Sequence, residues 1–129
     1  MIDATTDEVL LCIPARPEYG RIVRVGAAAL GLRQGMSFAE IDDLRLAIDE
    51  AMILLLDGIG DDAEANIDIV FRSNAGRLEL EASRGVSGNL RDAAVHRFDA
   101  ITSGLIDDYD LDLARGWLRL RKSPAPLDT

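Results

Sequence analysis

Carboxylates crowd one short run of this chain, where Asp42, Asp43, Asp49 and Glu50 could offer oxygens to a hard cation or a base to a proton. Helical carboxylates more often form a solvated face, so no metal is assigned to them. His96 is the only histidine, which excludes a histidine metal cluster within one chain. Any Ser-His-Asp triad would rest on His96 alone, with no nucleophile motif in sight, and the residue reads as a polar position on a helix. Cys12 is the only cysteine and sits in the apolar run Val9-Leu10-Leu11-Cys12-Ile13. It reads as a small buried hydrophobe and cannot form an internal disulfide.

The elements that must position these groups follow from periodicity. Val9 to Ile13, closed by Pro14, reads as a strand. Glu18 to Leu32 carries Ile22, Val23, Val25, Gly26, Ala29 and Leu30 at helical spacing, and Gly31 and Gly35 break the pattern. Ser37 stands three residues before Glu40, the pattern of a capping box, and opens a second helix. Ile41, Leu44, Ile48, Ala51, Met52 and Leu55 trace one face of it to Asp57, with Gly58 as the stop. Leu46, Ile53, Leu54 and Leu56 widen that apolar surface beyond one stripe, so its second half must be buried all round or covered by a partner.

Alternation over Ala65 to Phe71 and Leu78 to Ala82, around Ser73-Asn74-Ala75-Gly76, predicts a hairpin with one wet face. Asn89 is the expected cap of a third helix whose buried face is Ala94, Val95, Phe98, Ile101, Thr102 and Leu105. Strands near Tyr109 to Leu113 and Trp117 to Arg121 flank the turn Ala114-Arg115-Gly116, and Trp117 reads as core. Gly60-Asp61-Asp62-Ala63-Glu64 reads as an acidic surface turn. The expected fold class is an α+β two-layer sandwich, β-α-α-β-β-α-β-β, with a mixed, largely antiparallel sheet and helices on one face. Residues 1–122 form the expected single domain and residues 123–129 a loose tail.

The 23 acidic and 14 basic residues give a formal charge of −9, a field that repels a phosphate backbone, so direct nucleic-acid binding is not expected. No apolar run reaches transmembrane length and the first residues are acidic and polar, so no membrane segment is expected and the cytoplasm is the expected compartment. Arg16, Arg21, Arg24 and Arg33 make the first helix region the most basic part of the chain, either a solvated face or a docking stripe for an acidic partner.

Asp43-Leu44-Arg45-Leu46-Ala47-Ile48-Asp49-Glu50-Ala51 resembles the central helix of the anti-sigma-factor serine kinases, members of the histidine-kinase-like ATPase (GHKL) superfamily with its Bergerat fold, which reads roughly D-[IL]-x-L-A-[VI]-x-E-A-x-x-N. Ile13-Pro14-Ala15-Arg16-Pro17-Glu18-Tyr19 is similar to that family's entry into its first helix. The resemblance runs in element order from about Val9 to Lys122.

The resemblance implies a general base at Glu50, which reads equally as a surface carboxylate, and a magnesium ligand at the asparagine position, here Leu54. It implies a box, D-x-G-x-G, that places an aspartate on adenine; the matching stretch is Ser83-Arg84-Gly85-Val86-Ser87-Gly88, with Gly85 kept and Ser83 at the aspartate. The family's lid over the phosphates has little room before the third helix. A degenerate ATP-binding site without cofactor is therefore expected, with ATP and Mg2+ as the cofactors only if the site still works. The implied function is regulation of transcription by binding a sigma factor, an anti-anti-sigma factor or both, as a homodimer. The alternative is an active ATP-dependent serine/threonine-protein kinase that phosphorylates an anti-anti-sigma factor.

Overall fold

A computed structural model of the chain describes residues 7–59, 64–85 and 90–126. The expectations for the acidic turn at Gly60 to Ala63, for Val86 to Asn89 and for the last three residues lie outside these. β1 (Asp7–Pro14) leads through a 3₁₀ turn (Pro17–Tyr19) into α1 (Gly20–Arg33) and α2 (Phe38–Leu56). The hairpin β2 (Asn66–Asn74) and β3 (Arg77–Arg84) precedes α3 (Asp92–Thr102), β4 (Asp108–Asp112) and β5 (Trp117–Lys122). The sheet order is β1-β2-β3-β5-β4, and every pairing is antiparallel.

Local chemistry explains where the elements begin and turn. Ser37 Oγ accepts from the Glu40 N–H at 3.1 Å while Glu40 Oε1 accepts from the Ser37 N–H at 2.9 Å, so the capping box satisfies both ends of the first turn of α2. Gly58, with φ +76°, lets the chain leave that helix. The β2–β3 turn places Ala75 and Gly76 at φ 52° and 80°, the paired positive values of a tight hairpin. The N-cap of α3 is Arg91, not Asn89, and it makes no side-chain cap.

One face of the sheet carries Ile67, Ile69, Phe71, Leu78, Leu80, Ala82, Leu118 and Leu120, all buried with the inward face of α2. The other face is wet. It carries three cross-strand rows: Glu8, Arg72, Glu79, Arg121 and Asp108; Leu10, Val70, Glu81, Arg119 and Asp110; and Cys12, Asp68, Ser83, Trp117 and Asp112. Charge alternates along the first row. Arg72 reaches Glu8, Glu79 and Glu81 at 2.7, 3.1 and 2.6 Å, and Arg121 reaches Glu79 and Asp110 at 3.2 and 2.9 Å.

Four burial expectations change. Cys12 is exposed because β1 is an edge strand whose odd positions alone turn to the helices. Trp117 lies on the wet face, donating from Nε1 to Glu81 at 2.8 Å between the guanidinium groups of Arg115 and Arg119. In α1 the buried positions are Gly20, Val23, Ala27 and Gly31, while Ile22 and Val25 face solvent. Small residues win that face because α1 packs closely on α2: a Cβ at Gly31 would stand 2.6 Å from Ile41 Cδ1. Ile101 is likewise exposed on α3, whose buried residues are Phe98 and Thr102.

Candidate functional site

The residues singled out by the helix motif meet where the second half of α2, the end of β3 and the start of α3 come together. Glu50 points toward α3, and its carboxylate accepts from Arg97 Nε and Nη2 at 3.3 and 3.2 Å. Only 13% of the Glu50 side chain is exposed. One turn on, Leu54 is 1% exposed and belongs to the main core. The apolar excess read from the sequence thus splits: Leu54 goes inward, whereas Leu46 and Ile53 stay on the surface.

At the C-terminus of the same helix, Asp57 joins three elements. Arg91, at the head of α3, donates to both of its carboxylate oxygens at 2.7 and 2.5 Å. Arg84, the last residue of β3, donates from Nη1 to its backbone carbonyl at 2.9 Å, satisfying an acceptor that the helix end leaves free. The Arg91 hydrogen bond holds the Asp57 carboxyl below its usual range, against a smaller opposing push from burial. Arg84 is buried, its Nε has no hydrogen-bond partner among the described residues, and its stem lies across Gly116, where an added Cβ would clash with Cγ.

Strand alternation separates the remaining sequence candidates. Leu78, Leu80, Ala82 and Arg84 face the helices, so Ser83 lies with Glu79 and Glu81 on the wet face, in register with Asp68 and Trp117. Ser83 is therefore not brought together with Glu50 and Leu54. The side chain that does point from β3 toward the end of α2 is Arg84, which sequence reading passed over although the period-two pattern of Leu78, Leu80 and Ala82 continues onto it. Gly85 has a local cause: its N–H donates to the Asn66 carbonyl at 2.8 Å, and a Cβ there would stand 2.9 Å from the same oxygen. Residues 86–91 are all that separate Gly85 from α3.

The acidic run on α2 is dispersed: Asp49 pairs with Arg24 at 2.7 Å and Asp42 lies 3.8 Å from Arg45. Among the described residues no group of three or more His, Cys, Asp or Glu could hold a metal ion.

No protein-family model matches the chain. Curated proteins do: the serine-protein kinase RsbW of Bacillus cereus (strain B4264) is 33% identical over 82 residues, 63% of this chain and 51% of that protein. The RsbW of Bacillus anthracis is 34% identical over 89 residues, 66% of this chain and 56% of its own length. That of Bacillus mycoides (strain KBAB4) is 32% identical over 84 residues, 64% and 52% respectively. This chain is a distant relative of the RsbW serine-protein kinases. It spans about half the length of the curated RsbW proteins it matches. The α+β sandwich with its open antiparallel sheet is consistent with that kinship.

Proposed function

We propose that this domain is an anti-sigma-factor-like regulator that acts by holding protein partners, and that its nucleotide cleft is closed from within. The observation that carries this reading is Leu54, an alkyl side chain 1% exposed at the position where the resemblance calls for the magnesium ligand. Magnesium takes oxygen ligands and sheds water reluctantly, so a buried leucine offers it nothing. Two cations reinforce the point. Arg97 holds the carboxylate of Glu50, the vestigial base, and Arg84 projects from the end of β3 toward the helices, where an acceptor for the adenine amino group would have to stand. A guanidinium has donors only and repels an amino group's hydrogens. The residues present do not fit a magnesium nucleotide.

With chemistry set aside, binding remains. The partners proposed are a sigma factor, an anti-anti-sigma factor or both, met by a homodimer in the cytoplasm, all taken from the family resemblance and the kinship with RsbW. Among the described residues no helix is long and apolar enough to cross a membrane. The name of the relatives, serine-protein kinase, favours the competing reading of an active ATP-dependent kinase that phosphorylates an anti-anti-sigma factor. Calorimetric titration of the chain with ATP and magnesium separates the two. Silence up to millimolar nucleotide is the expected result, and micromolar binding overturns the closed cleft.

A further inference from the structure

We propose that the outer face of α2, with the neighbouring arginines of α1, is a docking groove for an acidic amphipathic helix on a partner protein. The proposal rests on the reading of this domain as a regulator that holds proteins, and it names the surface and the chemistry of the occupant. Leu46 and Ile53 are 52% and 48% exposed and stand two helical turns apart, on the same side of α2. They line a groove of about 890 Å³ with Leu56 and Met52, walled on the α1 side by Arg24 and Arg45. A second groove of about 550 Å³ adjoins it across those same two arginines and adds Arg21, Val25 and Ala28. Val25 is 60% exposed, so the second groove adds apolar surface on the far side of the two arginines. Contiguous exposed apolar surface rimmed by charge is the usual mark of a protein contact.

The balance of charge selects the occupant. The carboxylates along the groove are already matched: Asp49 by Arg24 at 2.7 Å, Glu50 by Arg97 at 3.2 Å and Asp57 by Arg91 at 2.5 Å. Among the described residues Arg21 has no ion-pair partner, and Arg45 has a long and exposed one, Asp42 at 3.8 Å. A chain of net charge −9 therefore presents unspent positive charge here, and the complementary surface is acidic. A second copy would bring the same arginines against these and add its own negative charge. An extended strand would find no free backbone ladder on the flank of a helix, so its own N–H and C=O groups would go unpaired. A helix satisfies its backbone internally, and anchors at i, i+3 and i+7 match the spacing of Leu46 and Ile53.

Two synthetic helical peptides of 21 residues test this against the full chain, each with a leucine stripe, one flanked by glutamates and one by lysines. Anisotropy titrations and amide shift mapping should show the glutamate peptide binding, with shifts centred on Leu46, Ile53 and Val25, and the lysine peptide binding at least tenfold more weakly. The double variants Leu46→Ser/Ile53→Ser and Arg21→Glu/Arg45→Glu, all at exposed positions, should each weaken the glutamate peptide at least tenfold while leaving the circular dichroism spectrum unchanged. Equal affinity for the two peptides, no binding of either, shifts confined to another face, or a concentration-dependent doubling of mass that Leu46→Ser/Ile53→Ser abolishes would each overturn the proposal. Glu50 and Asp57 also line this groove, so micromolar ATP binding that the glutamate peptide competes away would overturn both readings; ATP binding that the peptide leaves unchanged sinks the closed cleft alone, and a silent ATP titration with no peptide bound sinks the groove alone.

Discussion

Leu54→Asn restores the amide that the helix motif expects, and the structure predicts damage rather than a metal site. Leu54 is 1% exposed within a continuous core that includes Ile48, Ala51 and Leu55 of its own helix. Removing its alkyl mass forfeits about 2–3 kcal/mol of transfer free energy, with a further share for the space left behind. Placing an unpartnered amide in that space adds about 1–3 kcal/mol. A total near 4 kcal/mol, spread over an unfolding entropy of about 0.27 kcal/mol/K for a chain this long, lowers Tm by about 15 °C. Urea unfolding followed by far-UV circular dichroism and by Trp117 fluorescence measures the loss, with Leu54→Met as a volume-conserving control that should cost less than about 1.5 kcal/mol. A Leu54→Asn protein within about 1 kcal/mol of the parent, or one that acquires affinity for magnesium ATP, would refute the closed core at this position.

Gly116→Ala should destabilise by about 2 kcal/mol or more, because the position has φ +59° and the new Cβ meets the stem of Arg84; combining it with Arg84→Ala should recover the steric share but not the backbone share, as a double-mutant cycle would read. Asp57 is held below the usual carboxylate range first by its hydrogen bond from Arg91, and Glu81 by those from Arg72 and then Trp117. Lowered folded values mean that this stabilisation is present in full above the unfolded values, near pH 4, and is lost as pH falls through the folded ones; Arg91→Ala, at a mostly exposed arginine, should remove a small part of that acid dependence in urea midpoints measured from pH 6 to 3. Cys12 should react with a disulfide reagent in the native protein, slowly near neutral pH, since the Asp68 carboxylate beside it pushes the thiol up chiefly through a hydrogen bond. Protection of Cys12 to the level of a core thiol would contradict its place on the edge strand.

The order of elements was legible because each rests on local signals: the Ser37 and Glu40 box, the Ala75-Gly76 turn and the alternation of Leu78, Leu80 and Ala82. Sheet order was not, since nothing local says that β1 ends at an edge, and the burial of Cys12 was misjudged for that reason. The same gap hid the true face of α1, where close packing on α2 favours glycine and alanine over the larger Ile22 and Val25. At the candidate site, the motif drew attention to Leu54, which the structure places in the core. It also drew the eye to Ser83, when the two-residue period already put Arg84 on the helix side. Arg91 and Arg97 carried no sequence signal at all, because their meaning depends on where α3 lies against α2.

The wet face of the sheet has a consequence for what this fold can become. Covering it with another layer would strip water from Glu8, Arg72, Glu79, Glu81, Arg119, Arg121, Asp108 and Asp110 together, and matched ions seldom recover what they lose on drying. Fusion partners, accessory segments and inhibitors designed against this domain will find no purchase on that side. Growth and recognition are left to the helical side and to the sheet edges at β1 and β4, so a lineage that adds contacts to this scaffold must add them there.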